Sequence, residues 1–412
     1  MFSRIGVRNS HLRHRRAAAA TSNDAKRNDR GNNRSTDRTI VRYSSTMAFR
    51  WQQIGTESQG ALFEDHQLVE RHIGRGEFRG LEFLHVNAKT ILNRVPAASR
   101  MPFEWTINPY RGCSHACTYC FARPTHAYLD LDTGEGFDRQ IVVKINAVER
   151  AGAELTRSTR ERASIAFGTN TDPYQRCEGK YHLMRGLLRV LIDTRTPFSI
   201  LTKSTLVLRD LDLLTTAASF MAVSVNFSIG TLDADVWRLT EPGTPHPQRR
   251  IEAVAKLNDA GIRCGILMAP ILPGLSDSEA SLRAVVEAGL DAGAVRLAAS
   301  ALYLHPVVRV HYLERLKGER PDVAIATDRL FGDRASQPSD VQRTLSARIR
   351  SLVDDGLRRR GQQGRQGRQG RQGRQGRQGR TVDTERFMDH EFGAAPPTAA
   401  PASNQLSLLD VG

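Results

Sequence analysis

Short apolar runs alternate with amphipathic stretches between residues 103 and 310. The apolar runs predict six β-strands, at Glu104–Asn108, Ser164–Phe167, Phe198–Thr202, Met221–Phe227, Arg263–Met268 and Ala294–Ala299. The amphipathic stretches predict helices at Ile141–Leu155, Leu183–Asp193, Leu206–Leu214, Gln248–Ala260 and Ser278–Ala288. Because strands that alternate with helices usually lie parallel in one sheet, the pattern predicts an α/β fold.

Other segments flank this central region. They are an Arg-rich extension (1–46), an N-terminal segment leading into the central fold (47–102), a helical extension (311–357), a Gly-Arg-Gln repeat with a Pro/Ala-rich linker (358–402) and a terminal peptide (403–412). The extension and the linker have too few apolar residues to offset their ordering entropy, so we expect disordered N- and C-terminal tails. A start at Met47 would leave residues 1–46 outside the mature protein, and a transit peptide is the other interpretation.

The net charge of +15 is concentrated in two of these segments. Residues 1–46 contribute +8 and residues 358–380 contribute +9, so the rest of the chain is slightly acidic. The charge of the folded part therefore gives no argument for nucleic-acid binding. Gly364–Arg380 is a perfect triplet repeat, which predicts a flexible linker that can also touch phosphates without sequence preference. With no run of about 18 apolar residues, no membrane span is predicted, and we expect a cytoplasmic protein.

Three cysteines stand at C-x3-C-x2-C spacing in residues 111–121, RGCSHACTYCF. Three thiolates in one loop, from Cys113, Cys117 and Cys120, can bind three irons of a 4Fe-4S cluster and leave the fourth iron open to another ligand. Zinc would require a fourth Cys or His, and His115 lies inside the loop, where it can hardly join the same tetrahedron. A disulfide framework is not expected, because the chain has five cysteines and no secretory signal.

This motif, with Tyr119 before its third cysteine, resembles the radical S-adenosylmethionine (SAM) superfamily, in which SAM chelates the open iron. Six further stretches resemble its spore photoproduct lyase-like branch, often described as DNA repair photolyases: 168–175, 201–204, 223–226, 240–244, 249–253 and 265–271. The resemblance covers about Phe103 to Pro306. It implies a six-stranded (βα)6 partial TIM-type barrel, with a 4Fe-4S cluster and SAM as cofactors. It also implies reductive cleavage of SAM to a radical that removes hydrogen from a substrate.

Four further residues are candidates for binding SAM. Lys203 ends the third predicted strand, where a cation would neutralise the SAM carboxylate, and it matches the lysine with that role in the lyase branch. Ser224 and Asn226 alternate inward on the fourth strand, and their hydroxyl and amide groups suit a ribose or an ordinary polar barrel lumen. Arg250 matches an arginine of the branch, with a helix-surface position as the alternative.

The chain departs from the lyase at the hydrogen-atom donor. The lyase has a cysteine in a Cys-Thr-Ser-Asp run, and here Thr169 takes its place in the run 169–172, whose Asp172 is either a helix cap or a site residue. Cys177 can replace the donor only if its loop folds inward, and Cys264 is expected to be a core residue. Phe121 replaces a tyrosine of the lyase. The resemblance therefore does not predict spore photoproduct repair itself, and the catalytic residues stay unassigned.

The terminal residues Gln405–Leu409 read QLSLL. They resemble the peptide by which bacterial repair and replication proteins dock on the DNA sliding clamp, and a short apolar peptide on a flexible tether suits groove binding. An accidental apolar tail would have the same sequence.

Two classes of function follow from the sequence. The first is a radical SAM enzyme, dependent on an external electron donor, that acts on a nucleic-acid base in DNA repair or, alternatively, on a tRNA, a peptide or a small molecule. The second is a non-enzymatic, metal-stabilised nucleic-acid-binding protein.

Overall fold

The computed structural model describes residues 68–95, 101, 103–157 and 164–369, with side chains up to residue 360. The Arg-rich extension, most of the repeat and the terminal peptide lie outside the described residues. The predictions made for those segments therefore stay predictions.

The strands of the described residues are, in chain order, β1 Leu68–Ile73, β2 Glu82–Val86, β3 Leu92–Arg94, β4 Trp105–Ile107, β5 Tyr110–Arg111, β6 Gln140–Lys144, β7 Ile165–Phe167, β8 Phe198–Thr202, β9 Val223–Ser228, β10 Arg263–Ile271 and β11 Leu297–Ala301. The α-helices are α1 Glu135–Arg139, α2 Ala147–Arg157, α3 Glu178–Tyr181, α4 Leu183–Asp193, α5 Leu211–Ala218, α6 Ala234–Thr240, α7 Pro247–Asp259, α8 Glu279–Asp291, α9 Pro306–Glu319, α10 Pro321–Phe331 and α11 Ser339–Gln369. Short 3-10 helices span Gly76–Phe78, Arg123–Leu129 and Thr205–Asp210.

The larger sheet has seven strands in the order β11-β10-β9-β8-β7-β4-β3. The six strands from β4 to β11 in this order pair in parallel, and helices occur in the segments between them. The mixed α/β prediction is confirmed. The predicted count of six is wrong for the whole sheet, because β3 adds a seventh strand, antiparallel to β4. The sequence of β3, Leu-Asn-Arg, has a single apolar residue, so it gives no apolar run that could be recognised from sequence.

A second sheet of four strands, in the order β1-β2-β6-β5, was not predicted. The sequence pattern predicted one helix over Ile141–Leu155, but residues 140–144 form β6, and the helix α2 begins only at Ala147. The physical reason is the Ile-Val-Val run at 141–143, which is fully buried between β2 and β5. β-branched side chains fit such a buried strand well.

The two faces of the larger sheet differ in their side chains. On β9, Val223, Val225 and Phe227 belong to the main hydrophobic core, whereas Ser224 and Asn226 point to the opposite face and are partly exposed. The same core includes apolar residues of α4, α7 and α8. One face of the sheet is therefore packed against helices, and the other carries polar groups.

The C-terminal helices α9, α10 and α11 follow the last strand. The helical extension was predicted to end at residue 357, but α11 continues to Gln369, into the repeat. Gln and Arg are good helix formers, whereas the glycine in each triplet costs about 1 kcal/mol relative to alanine. Within the described part of the chain, no helix combines the length and the apolar character needed to cross a bilayer.

Candidate functional site

The cysteine loop begins directly after β5, close to the C-terminal end of β4. Cys113 and Cys117 are buried, Cys120 is half-buried, and all three thiols are free. Burial raises the pKa of the Cys113 thiol, and the nearby charges of Asp172 and of the other two cysteines raise it further. Cys120 packs against the hydrophobic cluster that contains Cys113 and against the one that contains Cys117, so the three side chains lie near one another.

The spacing of these sulfurs fits a cluster better than a single ion. Among the described residues, the one trio of His, Cys, Asp or Glu ligand atoms found within 4.8 Å of one another is Glu70, His72 and His85, not the cysteines. A tetrahedral zinc ion with Zn–S bonds of about 2.3 Å would hold its sulfurs roughly 3.8 Å apart. A 4Fe-4S cluster binds each thiolate through a different iron, so it accepts sulfur atoms that lie farther apart.

Buried side chains hold the backbone of this loop. The fully buried Arg123 donates from Nη2 to the Cys117 carbonyl at 3.0 Å and pairs with Asp138 at 2.8 Å. Gln175 accepts a hydrogen bond from the Ser114 amide at 2.9 Å and donates one to the Gly112 carbonyl at 3.0 Å. The loop is thus positioned by groups that do not depend on a bound metal.

The segment 240–244, EPGT with the preceding threonine, packs on the cysteine loop. The Thr118 amide donates to the Thr240 carbonyl, and the Gly243 amide donates to the His115 carbonyl, each at 3.0 Å. A Cβ atom on Gly243 would lie 2.2 Å from the carbonyl oxygen of Ser114. Only glycine permits this approach of the two backbones.

Lys203 follows the last residue of β8 and reaches the cysteine loop. Its ammonium donates to the Tyr119 hydroxyl at 3.2 Å, to the Ser228 hydroxyl at 2.7 Å and to Glu241 at 2.9 Å. The structure therefore brings the predicted lysine to Tyr119, the residue just before the third cysteine. The Lys203 side chain is only 14% exposed, so its salt bridge to Glu241 is largely shielded from solvent.

Arg250 is fully buried, so its surface alternative is wrong. Its guanidinium pairs with Glu241 at 2.6 Å and donates to the Ser228 carbonyl at 3.0 Å. Burial alone would raise the pKa of Glu241, but Arg250 and then Lys203 outweigh it and lower that pKa well below its usual range. Arg250 thus keeps Glu241 ionised and in place.

Sequence reasoning missed the central position of Glu241. The motif containing it was used to identify a branch, but its partners Lys203 and Arg250 lie 38 and nine residues away in the chain. The Tyr119 hydroxyl also donates to Glu241. Burial raises the pKa of Tyr119, and the charge of Glu241 raises it further, so this phenol keeps its proton.

Asp172 ties the cysteine loop to the end of β8. One carboxylate oxygen accepts from the backbone amide of Lys203 at 2.6 Å and lies 3.3 Å from Nδ1 of His115, and the other accepts from Thr202 at 2.7 Å. Burial raises its pKa, but His115 and these hydrogen bonds outweigh burial, so the pKa is lowered. Asp172 also accepts from the amide of Tyr174 at 2.9 Å, which closes a turn; the interpretation as a helix cap is wrong, because the next helix begins only at Glu178.

Ser224 and Asn226 lie on the same face of β9 as Ser228, four and two residues before it. Both are partly exposed, and Gly265 of β10 leaves the space that the Asn226 amide occupies. Residues two apart on a strand are about 6–7 Å apart along its axis. They therefore extend the polar face away from Lys203, and no contact joins them to it.

The remaining sequence candidates lie elsewhere. Cys177 is fully buried in the main core beside Tyr110 and Glu178, so the inward loop that a hydrogen-donor role would need is not formed. Cys264 is fully buried in β10, as predicted. Phe121 is 58% exposed and points away from the loop interior.

A family model described as the radical SAM superfamily matches residues 107–284 of this chain. That span begins at the end of β4 and includes the cysteine loop, Lys203, Glu241 and Arg250.

Two relatives share much of the sequence. The chain is 39% identical over 311 residues to an uncharacterized protein of Mycobacterium tuberculosis, which is 74% of this chain and 92% of that protein. It is 31% identical over 201 residues to a protein of Methanocaldococcus jannaschii, 48% of this chain and 71% of that protein. Among solved structures, a variant of spore photoproduct lyase matches with a TM-score of 0.50 and 16% identity, covering 75% of this chain and 90% of the other. At this identity the likeness concerns the fold alone.

Proposed function

The chain belongs to the radical SAM superfamily, and from this we propose that it cleaves SAM reductively at the cysteine loop and abstracts a hydrogen atom from its substrate. One observation carries the proposal: the Lys203 ammonium lies 3.2 Å from the Tyr119 hydroxyl, inside the three-cysteine motif. A cation for the SAM carboxylate and ligands for an iron-sulfur cluster therefore share one site.

Cys113, Cys117 and Cys120 would hold the 4Fe-4S cluster. Their thiolate chemistry, burial and wide spacing fit it. Such a cluster would take an electron from an external donor and pass it to SAM. Cleavage of SAM would then give a carbon radical.

The buried charges beside the loop suit a carboxylate ligand. Lys203 and Arg250 provide two positive charges against the single negative charge of Glu241. The carboxylate of an incoming ligand would balance the excess positive charge of these three side chains. Lys203 would then bind both that carboxylate and Glu241. Arg250 acts as a positioning residue in this proposal, because it touches Glu241 rather than the open face. Ser224 and Asn226 remain the proposed ribose contacts.

We place a nucleic-acid base first among substrates, for a role in DNA repair. Spore photoproduct lyase, which has a similar fold, acts by its name on a photoproduct. A lyase-like reaction in this chain would need a hydrogen donor other than Thr169 or Cys177.

The SAM chemistry is tested by anaerobic reconstitution with iron and sulfide, followed by a strong reductant and SAM. We expect a brown protein that releases 5′-deoxyadenosine, and no release from the Cys117→Ala variant, which loses a cluster ligand. Cys264→Ala is the matched control and should retain release, because Cys264 lies in the core of β10. Equal release from wild type and Cys117→Ala would exclude the proposed site.

The substrate is tested by comparing ultraviolet-irradiated DNA, undamaged DNA and tRNA in the same assay, with mass spectrometry of the products. We expect a product that forms only with irradiated DNA. A product from tRNA alone would make tRNA, not DNA, the substrate. If no nucleic acid changes the release of 5′-deoxyadenosine, a nucleic-acid substrate is rejected.

A further inference from the structure

Two histidines and a glutamate meet on the four-stranded sheet, which does not contain the strands β8 and β9 of the site described above. One ligand atom from each of Glu70, His72 and His85 lies within 4.8 Å of the others. Nε2 of His72 is 2.9 Å from Glu70, and the two imidazole rings are 4.2 Å apart between centroids. No other trio of His, Cys, Asp or Glu in the described residues is this close.

The strand register explains the cluster. Glu70 of β1 stands directly opposite His85 of β2, and His72 is two residues further along β1. Residues two apart on a strand point to the same face, so all three side chains share one face of the hairpin. Side chains on paired strands are held more firmly than side chains on a loop, which favours a preformed site.

The surroundings of His85 suit a metal ligand. Nε2 of His85 is 2.7 Å from the Tyr181 hydroxyl. Binding through Nδ1 would leave Nε2–H to donate to Tyr181, the kind of outer contact that orients metal-bound histidines. Lys180 is the unfavourable neighbour, since its ammonium lies 5.1 Å from the centroid of the Tyr181 ring.

We propose that Glu70, His72 and His85 form a metal site that takes a divalent transition cation of the Zn²⁺ class. Two imidazoles and one carboxylate match the ligand preference of such ions, whereas Ca²⁺ and Mg²⁺ prefer oxygen ligands only. Water completes the coordination, because half of the Glu70 side chain faces solvent. The bound ion links β1, at the edge of its sheet, to β2.

Zinc binding by the full-length chain tests this proposal. Equilibrium dialysis against Zn²⁺ at pH 7.5, roughly one unit above the ordinary histidine pKa, with metal analysis should give wild type one more bound zinc than the His72→Gln/His85→Gln variant. Because the cysteines are unchanged in both proteins, any zinc they bind cancels in the comparison. The result therefore does not depend on whether the cluster assembles or SAM is cleaved.

Single variants keep the test decisive if the double variant misfolds. The Glu70 side chain is 59% exposed, so Glu70→Gln should fold normally and bind zinc at least about tenfold more weakly. Tyr181→Phe should weaken binding about tenfold through the outer contact. Glu77→Gln, an equal charge change in the turn after β1, should bind as wild type does. Equal zinc affinity in wild type and Glu70→Gln, or equal stoichiometry in wild type and the double variant, would overturn the proposal.

Discussion

At the scale of single residues, the site depends on a buried group of charges. Glu241 lies between Lys203 and Arg250, and each of the three would be costly to bury without the others. Sequence position predicted Lys203, because it ends a strand whose bounds, Phe198–Thr202, were predicted correctly. It could not predict Glu241, because a salt bridge between residues 38 positions apart depends on how β8 and the 240–244 segment pack.

Replacing Glu241 with Gln should destabilise the protein by about 3–5 kcal/mol, since two buried cations lose their counter-charge. Thermal unfolding at pH 7 would report this as a lower Tm, while Glu252→Gln, at an exposed position on α7, should change Tm little. The lowered pKa of Glu241 means that its stabilisation is present above the ordinary glutamate pKa and is lost as the pH falls below it. The difference between wild type and variant should therefore shrink in acid. If the Tm of Glu241→Gln at pH 7 equals that of wild type, the charges of Lys203 and Arg250 are solvated rather than buried.

At the scale of elements, the site is made by the contact between the cysteine loop and the 240–244 segment. Both were recognised as motifs in the sequence, but nothing in the sequence indicated that Gly243 touches the loop backbone. The small sheet was missed because β1 and β2 precede the region of alternating pattern, β5 has only two residues, and β6 was assigned to a helix. Periodicity cannot separate a buried strand from a buried helix over so few residues.

Gly243→Ala should disturb the cysteine loop, because the added Cβ would lie 2.2 Å from the Ser114 carbonyl. We expect less iron per chain after reconstitution and about 100-fold slower release of 5′-deoxyadenosine, the scale of loss for a displacement of about 1 Å. Gly318→Ala, on helix α9 with nothing within 4 Å of the new Cβ, is the control. Wild-type iron content and rate in Gly243→Ala would mean that the two segments move independently.

Lys144 gives a prediction for the strand that was missed. Burial, and next the charge of Arg111, lower its pKa to about 7. Its folded-state pKa lies below the unfolded value, so the cost of burying the charge is complete below pH 7 and disappears as the pH rises towards about 10.5. Lys144→Met should raise stability by about 1–4 kcal/mol at pH 6, with a gain that shrinks above pH 7. Denaturant unfolding between pH 6 and 10 measures it. The exposed Lys89→Met should show no such trend. A gain for Lys144→Met that is absent, or that does not change with pH, would refute the lowered pKa of Lys144.

At the scale of the whole molecule, the described fold lies between segments for which only sequence predictions exist. The family match, residues 107–284, covers strands β7 to β10 of the larger sheet and the site, but neither the repeat nor the terminal peptide. Composition and charge predicted the nature of these tails. A sequence pattern alone does not identify their partners, so these must be tested directly.

If Gln405–Leu409 binds the sliding clamp, changing Leu406 and Leu408 to Ala should weaken capture by immobilised clamp at least about tenfold, because apolar anchors dominate such peptides. Val411→Ala lies outside the motif and should bind as wild type does. Equal capture of wild type, the Leu406→Ala/Leu408→Ala variant and Val411→Ala would show that this peptide does not bind the clamp.

The central claim is that the cysteine loop and Lys203 form one SAM site. It is tested most directly by the rate of 5′-deoxyadenosine release against SAM concentration for wild type, Lys203→Met and the exposed control Lys256→Met. Loss of one charged hydrogen bond, about 1.5–3 kcal/mol, predicts a KM for SAM about 10–100-fold higher in Lys203→Met, with iron content unchanged. A KM equal to that of wild type and Lys256→Met would contradict the account.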